Sequence, residues 1–134
     1  MDTLQCAVVL AKLDQFDWEV ERRIELGRRY NELVDGAKIR RSLQKDDRSS
    51  VFAQYTIFCD QREVGKQRLA DAGIPTAVHY PKPLNQQPAY SHFCCPECTP
   101  VSARVSQAVL SLPMHPYMTD SDQDVIVKCL VGGD

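Results

Sequence analysis

Apolar residues recur at helical spacing from the start of the chain. Leu4, Val8, Leu10 or Ala11, and Leu13 fall on one face, and Asp2 or Thr3 stands where a helix needs its cap. Residues 6–11 are apolar nearly all round, which predicts burial on most sides. A bend is expected near residues 14–17. Beyond it, Val20, Ile24, Tyr30, Leu33 and Val34 form a second apolar stripe. Glu19, Glu21, Arg22, Arg23, Arg28 and Arg29 take the opposite side, and we read them as a solvated face with i,i+4 pairs. Gly36 is the expected helix stop.

The pattern then changes. Residues 37–50 are polar and read as a surface connection. Residues 51–59, VFAQYTIFC, are β-branched and aromatic, with large apolar groups in both phases of the alternation. That predicts a strand covered on both faces near its end. Residues 61–72 predict a helix with Val64, Leu69 and Ala72 inward, closed by Gly73. Gly65 inside it costs roughly 1 kcal/mol against alanine. Residues 74–79 read as a second strand, kept at an edge by Pro75. Residues 84–98 read as loop or a short helical turn. Thr99 and Pro100 supply N-cap and N1 of a helix with Val101, Val105, Ala108 and Val109 inward. Residues 110–112 make a third strand. Thr119 caps a last helix, with Asp120, Asp122 and Asp124 at its positive end and Val125, Ile126, Cys129 and Leu130 as its buried face. Gly132 and Gly133 end it.

The order is helix, strand, helix, strand, helix, strand, helix, with no Rossmann or phosphate-loop glycine pattern. The expected fold is therefore α+β. A small, mostly antiparallel three-stranded sheet carries helices packed on it, after a long N-terminal helical segment. We divide the chain into that segment, 1–36, and an α+β part, 37–134, forming one structural unit.

Composition narrows the function classes. The chain has 134 residues, 25% charged, with a formal net charge of -2 and dispersed arginines. No nucleic-acid or membrane partner is expected. No apolar run is long enough to span a bilayer, and no basic region precedes an apolar core. Three of the six cysteines, Cys6, Cys59 and Cys129, lie in apolar periodic segments, as buried free thiols do. A cytoplasmic location follows.

The stretch with most chemistry is residues 74–90, IPTAVHYPKPLNQQPAY. Its prolines shape a loop at a strand end, where binding groups tend to sit. His79 and Tyr80 are its candidates. An imidazole and a phenol can bond sugar hydroxyls or a carboxylate and cover a ring face. Read alone, the pair more readily caps a strand and packs under the proline turn. Asn85 and Gln86 are weaker candidates.

MDTLQCAVVLAKLDQF, GIPTAVHYPKPLNQQPAY and PVSARVSQAVLSLPMHPYMTD, in this order, resemble the C-terminal third of the DegT/DnrJ/StrS family. These are pyridoxal-phosphate (PLP)-dependent aminotransferases of nucleotide-linked keto sugars. The nearest members make diamino-uronic-acid sugars for surface polysaccharide. The resemblance implies the small domain of a fold type I aminotransferase. It also implies that the Schiff-base lysine, the aspartate on the pyridine nitrogen and the phosphate cradle belong to a large domain. None of Lys12, Lys38, Lys45, Lys66, Lys82 and Lys128 stands in the family's lysine motif. We therefore expect a truncated or detached piece with no catalytic or cofactor-binding residues of its own. It would be inactive alone, and PLP would belong to the parent enzyme. His79 and Tyr80 match the family's HYP block, which implies that they reach toward the sugar in a complete enzyme. His115 matches a further block and is read as a turn histidine. Cys6 and Ala103 depart from the family's usual alanine and glutamate. The apolar first helix, lacking the parent's cover, predicts self-association as a homodimer through the N-terminal helices. The alternative is a stand-alone interaction or nucleotide-sugar-binding module without activity.

SHFCCPEC, residues 91–98, is not explained by the resemblance. Cys95 and Cys98 form a C-x-x-C, with Cys94 and His92 nearby. No second pair completes a zinc set, so no metal is expected. We read loop thiols without a shared role, with a local disulfide and a metal knuckle as the alternatives.

Overall fold

The computed structural model describes residues 2–132. Among these, five α-helices accompany a three-stranded antiparallel sheet. They are α1 (Thr3–Leu13), α2 (Phe16–Gly36), α3 (Arg62–Asp71), α4 (Pro100–Ala108) and α5 (Asp120–Val131). The strands are β1 (Arg40–Arg41), β2 (Tyr55–Phe58) and β3 (Val109–Leu112), in the order β1-β2-β3. The α+β class and the small antiparallel sheet are as expected.

The membership of the sheet differs. The polar connection contributes edge strand β1, with Arg40 opposite Phe58 and Arg41 opposite Ile57. Charge does not oppose pairing at an edge, where it blocks further strands. Arg40 bonds Asp60 at 2.6 Å and lies over the Phe58 ring. Arg41 grips both Asp35 oxygens, at 2.8 and 2.7 Å. That bidentate bond holds the Asp35 carboxyl below its ordinary range. The expected strand at 74–79 is instead a single bridge, Ala77 to Ser111. Pro75 lacks the donor that a longer ladder needs. The strand predicted over 51–59 is ladder only at Tyr55–Phe58, and Val51 is exposed.

The core joins Leu26, Tyr30 and Val34 of α2 to Tyr55, Ile57, Leu69, Leu110, Leu112, Met118, Ile126 and Val127. Tyr30 stacks on Tyr55 at 4.6 Å, and burial pushes both phenols above their usual pKa. The face of α2 read as solvated is partly a set of tertiary clamps. Arg22 donates to the Met118 carbonyl and Arg23 to those of Phe52 and Met114, while Tyr30 of the apolar stripe donates to that of Pro113. Arg29 reaches Asp124 at 2.8 Å.

Other inward assignments shift by a position. Val64, Ala72, Val101 and Val125 are exposed, whereas Gln123 and Val127 are buried. The Gln123 amide donates to the Leu26 carbonyl at 2.9 Å, so a polar side chain is satisfied inside the core. Gly65 earns its place in α3 by close approach, since a Cβ there would sit 3.1 Å from Cys59 Sγ. Gly36 lies within α2, and the left-handed residue after the helix is Lys38, at φ 57°. Gly73 and Gly132 take left-handed turns as expected, while Gly133 lies outside the described residues. Thr119 and Asp122 form a reciprocal cap on α5. Thr99 precedes α4 without capping it, because its hydroxyl is used elsewhere.

The largest departure is α1. Its residues are apolar as read, but none is buried. Cys6 is half-buried, not a core residue.

Candidate functional site

The Ala77–Ser111 bridge fixes the entrance to the proline loop. Ser111 donates to Ala77 at 2.8 Å and accepts from it at 3.2 Å. Val78 packs against the core, and the chain then leaves the protein body at His79. His79 and Tyr80 are both exposed, Tyr80 by 72%, with rings edge-on at 5.5 Å. This excludes the bland reading of Tyr80 as packed beneath the turn. After Pro83 a 3-10 turn, Leu84–Gln86, folds the loop back.

Opposite stands α4. Between loop and helix lies a cleft of about 470 Å³. His79, Tyr80, Lys82, Pro83, Leu84 and Gln87 form the loop wall, and Ser102, Val105, Ser106 and Val109 form the other. The cleft therefore offers an imidazole, a phenol, an ammonium, a carboxamide and hydroxyls over an apolar floor. No carboxylate is among its lining residues, so its formal charge is positive. A hydroxylated, anionic ligand suits such a surface.

Lys82 and Gln87 were missed in the sequence. The sequence weighed Lys82 only against the family's lysine motif, whereas the structure brings it to the cleft from a bend in the proline loop. Tyr80, Lys82, Pro83 and Leu84 all line the cleft, so no strand-like alternation singles Lys82 out. Of the weaker candidates, Asn85 faces away from this cleft. Its amide donates to the Cys95 carbonyl at 3.0 Å, and its oxygen accepts from Thr99 Oγ1 at 2.9 Å. Gln86 lies in the 3-10 turn, and its neighbour Gln87 supplies the amide of the cleft. His115 is exposed, and its main-chain carbonyl accepts from Met118, as a turn residue does.

A second, more apolar cavity of about 620 Å³ adjoins the first, sharing Pro83, Leu84 and Ser102 with it and lined further by Asn85, Tyr90, Phe93, Cys94 and Thr99. At its edge Cys95 and Cys98 are joined as a disulfide, which replaces the free thiols expected there.

A small antiparallel sheet backed by helices, with a histidine-bearing proline loop at its edge, defines an α+β unit that presents an open cleft beside α4. The chain belongs to the DegT/DnrJ/EryC1/StrS aminotransferase family, whose sequence profile matches residues 1–131. It is 38% identical over 130 residues to the UDP-2-acetamido-2-deoxy-3-oxo-D-glucuronate aminotransferase of Pseudomonas aeruginosa, with 97% of this chain and 36% of that protein covered. It is 31% identical to the dTDP-3-amino-3,6-dideoxy-alpha-D-galactopyranose transaminase of Aneurinibacillus thermoaerophilus, again covering 97% and 36%. The solved structure of a DegT DnrJ EryC1 StrS aminotransferase from Brucella abortus superposes with TM-score 0.90 at 39% identity, over 98% of this chain and 35% of that one. The chain thus spans about a third of the length of the relatives it matches. No helix among the described residues is long and apolar enough to cross a membrane.

Proposed function

We propose that this chain is the C-terminal, small-domain portion of a PLP-dependent aminotransferase acting on a nucleotide-linked keto sugar for surface polysaccharide. It works in the cytoplasm and is catalytically incomplete alone. His79 and Tyr80 contact the sugar. Lys82 pairs with an acidic group of the ligand, a uronate or a phosphate. The observation that carries this reading is the convergence of His79, Tyr80, Lys82, Gln87 and Ser102 on one cleft that no carboxylate lines. The uronate named for the Pseudomonas relative agrees with that charge.

PLP is implied by the family, and the residues of this cleft do not fit it. The coenzyme needs a lysine for its aldehyde and a carboxylate for its ring nitrogen. The cleft supplies Lys82 and lacks the carboxylate. No chemical step through PLP is assigned to these residues. What they offer is binding and orientation of the sugar, and its partial shielding from water.

The test has two arms. PLP added to the isolated chain, followed by borohydride, is expected to leave no stoichiometric lysine adduct. A single labelled lysine overturns the claim of incompleteness. Calorimetric titration with a UDP-linked hexuronate is expected to show binding that Lys82→Ala weakens about tenfold, the loss of roughly 1.4 kcal/mol. Tyr80→Phe loses less, because the ring remains. Equal affinity in all three proteins overturns the assignment of the cleft.

One observation favours an added role in association. Leu4, Val8, Val9, Leu10 and Leu13 are exposed apolar residues distributed around α1. We propose that a second copy covers them in a homodimer, with residues 1–36 and 37–134 moving as one unit because α2 supplies part of the common core.

A further inference from the structure

The turn at residues 94–98 brings three sulfur atoms together. Cys94, Cys95 and Cys98 are all exposed, and their Sγ atoms lie within 4.8 Å of one another. Tetrahedral zinc with Zn–S near 2.3 Å sets its sulfurs about 3.8 Å apart. The cluster is therefore already at ligand spacing, apart from the disulfide that pulls Cys95 and Cys98 together. That disulfide uses two thiols and leaves the third, Cys94, beside them with no bond to make. A metal ion would use all three.

The backbone is arranged for such a role. The Cys98 amide donates to the Cys95 carbonyl at 3.3 Å, closing the C-x-x-C turn. The Asn85 amide donates to the same carbonyl, and Asn85 is held in turn by Thr99. The turn is thus anchored from outside itself by the proline loop. Helix α4 begins two residues after Cys98, and its positive end favours the net negative charge of a divalent ion bound by three thiolates.

We propose that Cys94, Cys95 and Cys98, once reduced, form a three-thiolate site for a thiophilic divalent cation of the zinc type, with the fourth position open to solvent. The Cys95–Cys98 disulfide is its oxidised, metal-free form. Conversion is balanced: a dithiol reductant breaks the S–S bond, gives up two electrons and two protons, and leaves as its own disulfide. Binding of the cation then releases three protons from three thiols. This departs from the expectation that no metal binds. It uses none of the side chains assigned to the sugar, so it stands or falls separately.

The experiment uses the full chain, reduced and freed of reductant under argon. Titration with Co²⁺ is expected to give a thiolate-to-cobalt charge-transfer band that saturates at one equivalent and is displaced by Zn²⁺. The disulfide form gives no band. Cys95→Ser and Cys98→Ser each lower Zn²⁺ affinity by at least about 100-fold, more than loss of an outer-shell group costs. Cys94→Ser lowers it at least about tenfold, while Cys59→Ser and Cys129→Ser leave it unchanged. Because the turn is exposed, circular dichroism is expected to match in all variants. Absence of the band from the reduced chain overturns the proposal. So does its survival in the triple Cys94→Ser, Cys95→Ser, Cys98→Ser variant, or an unchanged affinity in Cys94→Ser, which would leave only a two-thiol contact.

Discussion

The first two helices are neighbours in the chain and opposites in the fold. α1 is built mainly of apolar residues and buries none of them. α2 is dense in charge, yet Leu26, Gly27, Tyr30 and Val34 are buried. Apolar content measures what a segment could gain from burial. Burial itself depends on whether another surface arrives. Around α2, sheet and α5 arrive, and its arginines tie the far loops down through main-chain carbonyls. Around α1, among the described residues, no surface arrives that buries any of its side chains. Stability should therefore reside in α2 and association in α1, and substitutions can test that division.

The largest effect is expected at Leu26, 1% exposed in the centre of the core. Leu26→Ala should cost about 2–5 kcal/mol, read as a fall in the urea midpoint at constant slope. A cost under about 1 kcal/mol would mean that α2 is not the anchor.

Two glycines in α2 sharpen the point. A Cβ on Gly27 would lie 2.3 Å from the Phe52 ring, whereas one on Gly36 would meet nothing within 4 Å. Helix propensity alone favours alanine at both by up to about 1 kcal/mol. Packing reverses the sign at Gly27, where overfilling costs about 1–3 kcal/mol. Gly27→Ala should lower the melting temperature and Gly36→Ala raise it. Equal shifts would show that the Phe52 ring moves aside freely.

A smaller effect lies at the cap of α5, whose Ile126 and Val127 pack in the same core as α2. Thr119 Oγ1 accepts from the Asp122 amide, and the Asp122 carboxylate accepts from the Thr119 amide at 2.8 Å and its hydroxyl at 2.7 Å. Those bonds hold the Asp122 carboxyl below its ordinary value. A depressed carboxylate contributes stability that is fully present above the unfolded pKa, about 3.9, and is lost as pH falls through the lower folded value. Thr119→Ala should cost about 1 kcal/mol near neutral pH. It should also flatten the acid limb of the stability profile below about pH 4. An unchanged acid limb would remove Asp122 from that account.

Legibility followed the same division. Periodicity located α3, α4 and α5 to within a few residues and separated α1 from α2 at the bend, because helical faces repeat within one segment. Register across the sheet was harder. β1 is two arginines, and nothing local to Arg40 and Arg41 announces pairing with Phe58 and Ile57. The bridge at Ala77 depends on Ser111, a partner distant in sequence. His79 and Tyr80 were legible as a shaped, proline-bounded pair. Lys82 was not legible as a cleft residue, since the loop bends at Pro81 and Lys82 and no periodicity runs through it. The opposite wall, Ser102 and Ser106, was not, since it exists only once α4 packs beside the loop. The cysteines showed their spacing and hid their state, because a C-x-x-C turn suits thiols, disulfide and metal alike.

The smallest effect on stability is expected in α1, and it bears hardest on the comparison. Leu4 is 77% exposed and Leu10 65%. Exposed substitutions usually change stability by no more than about 0.5 kcal/mol. Replacing Leu4, Val8 and Leu10 together by Gln should therefore leave the urea midpoint of the dilute monomer nearly unchanged. Sedimentation should respond strongly, because exposed apolar surface concentrated on one helix is what a second copy can bury. The parent chain should show a concentration-dependent dimer, and the triple variant should remain a monomer over the same range. If the unsubstituted chain is itself a clean monomer at high concentration, the apolar surface of α1 is covered by no second copy. If instead the triple variant unfolds, α1 contributes to the core after all, and the contrast between the two helices fails.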